Sequence, residues 1–576
     1  IGHTRFRIPN RLIIDEVKLY DRSDTLMLQA NRLAAKIEIL PLFNNKIHIN
    51  NAQLIGAKVK LYKTTADAPH NFQFLIDKFA SKDTTSKKNI DLKIGSVILR
   101  QCSIRYDVQD RPHSKGIFNP NHLDLQDINL TAQVKSLRPD SLNVNLSKFN
   151  LKESNGFEIK KFKVNVIAGA KEALIEELSL ALPHSNVEIP SIHLAYKQCP
   201  ISGAGKEWLA GTEYKGNIKL SLTPSDFSAF TPKVKYFNDG ITLNTNFKGK
   251  GNEISFPDIH LSDPLEILQI QASATLQDIF GNIHANAELQ YLKAKENLQQ
   301  FITKNLEGRE REISPILTRI GHIEARGNSY YTKNETKADL EIRTTPGTLN
   351  LKAILRESND IEGEITTNNF QIHNLLKTNK KQNLEKLSLL ANIKGKIKGK
   401  DNRPEWSVTG KIPEIIFKNY LYRGIDFNAS NKGDNYNAQI AIADANGTIN
   451  ADINALLQND HKTAKGNIEV VNLNPHQLNL TSKYPGETFS TKLTYDLTGY
   501  NLDNLKGMIE IEDLGVQSET KGNITTGPIR LYSHPEANEK DFNIESEFLK
   551  LQVEGEFQWK NLPRTFNQIA HQYLPS

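Results

Sequence analysis

The chain has 576 residues, 38% hydrophobic and 24% charged, with a formal net charge of +6, a mean hydropathy of -0.49 and a pI near 8.8. That is lean for domains that bury their strands on both faces, and Lys and Arg alternate with Asp and Glu instead of clustering, which argues against nucleic-acid binding. No run of about 18 apolar residues occurs, so no sequence segment is suited to crossing a bilayer as a helix.

The chain begins IGHTRFRIPN, without Met, and reads as a segment of something longer. The first helical signal is HNFQFLIDKFA, where Phe72, Leu75, Ile76 and Phe79 fall at i, i+3, i+4 and i+7 with Asn71 placed to cap. It predicts a helical insertion near 71–80. The polar stretch Ser81 to Lys88 follows, and then a long alternation: Ile90, Leu92, Ile94, Ser96, Ile98, Arg100, Cys102, Ile104, Tyr106 and Val108 occupy the even positions. A period of two gives a strand one oily side and one wet side.

The same pattern recurs in Leu142, Val144, Leu146, then in Phe162, Val164, Val166, and later in Ile218, Leu220, Leu222. Further on stand Leu349, Leu351, then Leu387, Leu389, Ile393, Ile397. Tyr436, Ala438, Ile440, Ile442 answer Ile449, Ala451, Ile453, Ala455 across the turn-prone Asp444-Ala-Asn-Gly447. Helical patterns are few: Leu292 to Leu306 and Ile313 to Ile320 predict a second insertion near 292–320, with shorter ones at Ser225 to Phe230, Phe370 to Thr378 and Pro563 to Tyr573. Strand spacing is irregular, no fixed repeat period stands out, and no Pro/Ser/Gly-rich linker interrupts the series. The expectation is a mainly β chain of hairpins in series, 1–576 as one continuous body.

Signals for chemistry are weak. The 15 histidines are scattered outside HExxH or Cys/His spacing, so no metal site, cofactor site or catalytic residue is expected. Ser202-Gly-Ala-Gly-Lys206-Glu207 fails as a phosphate loop, because Pro200 replaces the first Gly and Glu207 the Ser or Thr. Glu510 and Glu512 alternate with Ile509 and Ile511 and belong to a solvated strand face. Cys102 and Cys199 have no motif spacing, and sequence leaves open whether they pair.

What covers the oily side has two answers. A second sheet gives a series of β-sandwiches. A non-protein partner gives an open groove. Here the residues resemble a known family: NFQFLIDKF followed by a lysine-rich loop and DLKIGSVILRQCSIRYD, then FNPNHLDLQDINL, RPDSLNVNLSKFNLKESNGFEI, ANIKGKIKG, YLYRGIDFNASNKGDNYNAQIAIADANGTINADI and NLDNLKGMIEIEDL, in that order. Together they resemble the large periplasmic AsmA-like proteins, of the TamB type found in Bacteroidota.

The resemblance implies an elongated, curved, antiparallel-rich sheet forming a U-shaped hydrophobic groove (a β-taco) with a few short helices. It also implies carriage of phospholipid between inner and outer membranes in the periplasm of a Gram-negative bacterium. The implied partners are phospholipid acyl chains, an outer-membrane barrel protein of the TamA type, and the inner membrane through an N-terminal helix missing from this chain. The residues expected to line the groove are Ile90, Leu92, Ile94, Ile98, Ile104, Leu142, Val144, Leu146, Phe162, Val164, Val166, Leu389, Ile393, Ile440 and Ile442. The competing expectation is a scaffold for assembling outer-membrane β-barrel or secreted proteins. A glycan-binding rod is disfavoured by having only Trp208, Trp406 and Trp559, widely separated.

Overall fold

The computed structural model describes residues 2–8, 10–43, 46–80, 91–138, 140–197, 210–305, 318–376, 384–397, 399, 403–458, 461–499, 504–534, 539–556, 558–559, 564 and 568. They fall into two compact units, Ile1–Thr318 and Arg319–Ser576, each taken by itself below. The division lies near the charged GREREIS stretch, which has none of the composition of a linker and so gave the sequence no boundary signal.

The fold is mainly β, as expected. In the first unit the strands Arg11–Tyr20 and Leu26–Ile37 form an antiparallel hairpin. Lys46–Ile55 and Lys58–Lys63 then pair in parallel with Asp91–Ile94 and Ser96–Val108, a crossover that runs through the helix Gln73–Ala80. From Ser96–Val108 to His284–Ala294 each strand pairs antiparallel with the next in sequence. The second unit repeats this scheme from Ile323–Tyr331 to Lys506–Ser518. Lys506–Ser518 then pairs with both Gly522–Thr525 and Ile529–Ser533, and Ile529–Ser533 continues through Lys540–Glu545 to Lys550–Gly555. The predicted hairpin at Asp444-Ala-Asn-Gly447 is present: Asp444 opposes Gly447, and the Asp444 carboxylate accepts from the Asn446 N–H at 2.9 Å.

Bulges interrupt these ladders repeatedly. Register slips occur between Lys163 and Asn165, Glu188 and Ile192, Asn246 and Lys248, and Gln271 and Ala272. Gln101, Asp127 and Glu177 take positive φ within or beside such slips. An extra residue on one strand bends it and tightens its twist, so nearly every strand of the first unit adds curvature.

Among the described residues helices are short. The helix Gln73–Ala80 forms where expected, but the Asn71 side chain accepts from Tyr62 N (3.1 Å) and donates to Lys60 O (3.1 Å), tying the helix start to a strand instead of capping it. Leu292 and Ala294 end a strand, because Ile270 and Leu268 oppose them, and the described helix spans Leu298–Asn305. Pro224–Phe227 and Ile372–Asn374 are single 3-10 turns. Ile313 to residue 317, nearly all of Pro563 to Tyr573, and the Ser202 to Glu207 loop lie outside the described residues.

The long connections bury polar anchors. Asn305, 1% exposed, donates to Asp239 Oδ2 (2.6 Å) and to Phe301 O (2.7 Å) and accepts from Asn238 N (3.2 Å). Asp226 sits where two hairpin ends meet and accepts from His184 N at 3.0 Å and His184 Nδ1 at 2.9 Å. Burial pushes its carboxyl up, but hydrogen bonds from the Ser185 side chain and from His184 outweigh this and hold it below the usual range. A depressed carboxylate stabilises the fold above its unfolded pKa of about 4, and that contribution is lost as pH falls through the folded value. Asp226→Asn should therefore flatten the acid limb of a stability-versus-pH curve below about pH 4. An unchanged limb would remove Asp226 from the acid response.

Candidate functional site

Strand register turns the alternation into rows, because residues directly opposite in an antiparallel pair share a face. Starting from Leu99, the partners run Leu130, Phe149, Phe162, Leu180, Val187, Leu220, Leu243, Leu261, Ile270, Leu292, one apolar residue from each of eleven successive strands. Every one of them is half-buried. The second unit carries a longer row: Gly327, Leu340, Leu351, Ile365, Ala391, Gly410, Phe427, Ile440, Ala451, Ile468, Leu493, Ile511, Ile529. All but Ala391 are half-buried.

The residue beside each row member points the other way, and there the chemistry inverts. Asp339, Lys352, Glu364, Asn392, Thr409, Asn428, Gln439, Asp452, Asn467, Thr494, Glu510 and Arg530 form an entirely polar row one position away. Cross-strand ion pairs stud this face, including Arg326–Glu341 at 2.6 Å, Lys465–Asp496 at 2.7 Å and Arg530–Glu510 at 2.7 Å. Hydrogen bonds from Arg326 and then Arg343 hold the Glu341 carboxyl below its ordinary value. Such exposed pairs contribute little to stability because water and salt screen them; they favour one register and keep this face wet.

Glycines in or beside the apolar rows have a specific use. A Cβ on Gly216 would lie 2.7 Å from Phe247 Cζ, and one on Gly410 would lie 2.7 Å from Phe427 Cζ. Gly249 and Tyr214 (2.5 Å), and Gly466 and Tyr495 (2.6 Å), repeat the arrangement. In each pair the opposing ring lies across the glycine, which shields the bare backbone and keeps the ring low over the sheet.

Of the expected lining residues, Phe162 and Ile440 are members of these rows, and most of the others have apolar partners beside them in the register. Leu142 opposes Ala168, Val144 opposes Val134 and Val166, and Leu146 opposes Ala132 and Val164. Phe162 opposes Phe149 and Leu180. Leu389 opposes Thr367, Ile393 opposes Gly363 and Val408, Ile440 opposes Phe427 and Ala451, and Ile442 opposes Ile425 and Ile449. Ile94 opposes Ile49. Ile104 packs with Leu99 and Leu125 against the buried cluster of Ala30, Ala57, Cys102 and Ile128.

Ile98 is the exception. The bulge at Gln101, φ 53°, shifts the face, so Leu99 and Ile104 share the apolar side although one is odd and one even, while Ile98 opposes Thr131 and, beyond it, Lys148. Leu92 opposes Ile47 by backbone register; Ile90 lies outside the described residues. Cys102 is a buried free thiol, and Cys199 also lies outside.

Full burial is sparse on these faces. Among the described residues the largest fully buried side chains are Leu478, Asn305, Thr212 and Pro346, none of them a row member. The strands of each unit join a single hydrogen-bonded sheet, so among the described residues no separate second sheet faces these rows as in the sandwich alternative. One apolar cavity of about 260 Å³ opens on this face of the second unit, between Leu497, Gly507, Ile509, Leu531, Phe542 and Trp559. The larger hollows, about 530 and 690 Å³, are walled mainly by polar-face residues such as Asn392, Gln439 and Asp452 in one and Lys215, Lys248 and Lys250 in the other, and they suit hydrocarbon poorly. No family model, curated protein or solved structure matches the chain.

Proposed function

We propose that the apolar face carries the acyl chains of phospholipids and that the protein is a carrier moving them between the inner and outer membranes, with headgroups kept in water. The observation that carries this reading is the unbroken row of non-polar positions, thirteen strands long in the second unit and half-buried except at Ala391. At about 4.8 Å per strand such a row extends roughly 60 Å. Each methylene that leaves water contributes about 0.8 kcal/mol, so a tail gains on the order of 10 kcal/mol. It gains nearly the same at the next strand, because the row does not change character. Equal wells in series permit sliding, which one deep pocket would not. The endpoints, a periplasmic setting and a TamA-type barrel partner come from the resemblance to AsmA-like proteins.

Photo-crosslinking tests this directly. A benzophenone side chain at Phe427 should capture phospholipid in cells, whereas the same probe at the neighbouring Asn428, on the polar face, should not. Equal capture at both, or exclusive capture of protein at position 427, would overturn the proposal.

A further inference from the structure

Away from the apolar rows, Asp107, His113 and His122 bring one ligand atom each to within 4.8 Å of one another. Asp107 and His122 are register partners at the ends of the strands Ser96–Val108 and His122–Arg138, and His113 stands in the connection between them. His122 is 8% exposed, and its ring lies against that of His113 with centroids 3.7 Å apart.

The hydrogen bonds of His122 leave an unanswered charge. Nε2 lies 2.9 Å from Arg111 O, and a carbonyl oxygen only accepts, so Nε2 carries the proton. In the neutral ring Nδ1 is then a bare lone pair. Yet Nδ1 faces Asp107 Oδ1, another acceptor, at 3.3 Å. Two lone pairs in opposition call for a positive species: a second proton on the ring, or a cation held between them.

Three features favour the cation. A tetrahedral ion with bonds of about 2.0 Å separates its ligands by roughly 3.3 Å, the distance between Nδ1 and Oδ1. A backbone carbonyl holding the far ring N–H is how ligating histidines are usually oriented. A second imidazole, that of the exposed His113, lies within reach. On swinging out of its stack with His122 it completes an N, N, O donor set, which an ion pair between His122 and Asp107 alone would not need. We infer that Asp107, His113 and His122 bind a divalent transition-metal ion of the zinc class, with water in the fourth position. The ion clips the connection 109–121 onto the sheet. Around it, Arg105 Nε binds the other Asp107 oxygen at 2.9 Å, and Asn119 holds Pro112 O at 3.1 Å, which fixes the backbone leading into His113.

The test uses the full chain, freed of metal with a chelator and then dialysed. Zn2+ alone should bind at one equivalent and raise the melting temperature saturably, and Co2+ should give the absorption bands of a tetrahedral site. His113→Ala, an exposed substitution that leaves His122 and Asp107 in place, should weaken binding at least tenfold, while His260→Ala should change nothing. Absence of saturable binding, binding indifferent to His113→Ala, or nitrogen NMR showing His122 doubly protonated at pH 7 in Zn2+-saturated protein would each overturn the inference. The last outcome would assign the positive species to a proton.

Discussion

Ile440→Asp is expected to abolish lipid capture at Phe427 while leaving the chain folded. Ile440 lies between Phe427 and Ala451 in the row and is half-buried. Removing it forfeits only part of the roughly 1.5–3 kcal/mol that full burial of such a side chain gives, and the carboxylate can turn toward water. The fold should therefore lose about 1–2 kcal/mol. A passing acyl chain fares worse, because it must strip water from an ion that has no partner on that face, at a cost of several kcal/mol. At about 1.4 kcal/mol per factor of ten, occupancy should fall at least a hundredfold. Gln439→Glu, on the opposite face, should have no effect. Photo-crosslink yield and thermal melting measured on the same samples separate the cases: a melt that collapses at Ile440→Asp would mean that protein seals this face.

Gly216→Ala is expected to cost about 1–3 kcal/mol, which is large for one methyl group. Its Cβ would meet Phe247 Cζ at 2.7 Å and Ser191 O at 2.9 Å, so the ring must lift away from the sheet. In the double variant with Phe247→Leu the ring contact is gone, and part of the cost should return as a coupling of at least about 1 kcal/mol. Chemical denaturation of the four proteins closes the cycle. Strict additivity would show that the ring does not depend on the glycine beneath it.

Much of the fold was legible because alternation is a local property. Tyr436 to Ala455 reads as a hairpin from turn residues and period alone, and it is one. The mainly β class followed from repeating that reading. Bulges were not legible: nothing about Gln101 announces a positive φ, so the period through Ile90 to Val108 looked continuous when it shifts face near Arg100. Rows were hidden for a related reason, since Gly410 and Phe427 are seventeen positions apart and become partners only through register. Asp107, His113 and His122 escaped notice because pairing of strand ends, not motif spacing, gathers them. The Leu292 helix failed because Leu292 and Ala294 satisfy a strand and a helix equally well until Ile270 and Leu268 oppose them.

Sequential pairing also governs how this chain acquires its structure. From Ser96 to Ala294, and again from Ile323 onward, each strand needs only the hairpin just completed as its template. Where the joining loop is short, as at Asp444 to Gly447, closing it costs little entropy and the rung can lock as it arrives, so assembly can proceed like a zipper between the long connections. Stability becomes a sum over neighbours, and damage to one rung stays near it. The parallel patch joining Lys46–Ile55 to Ser96–Val108 must instead wait for the intervening crossover to close, which makes it the slow step at the start of the sheet.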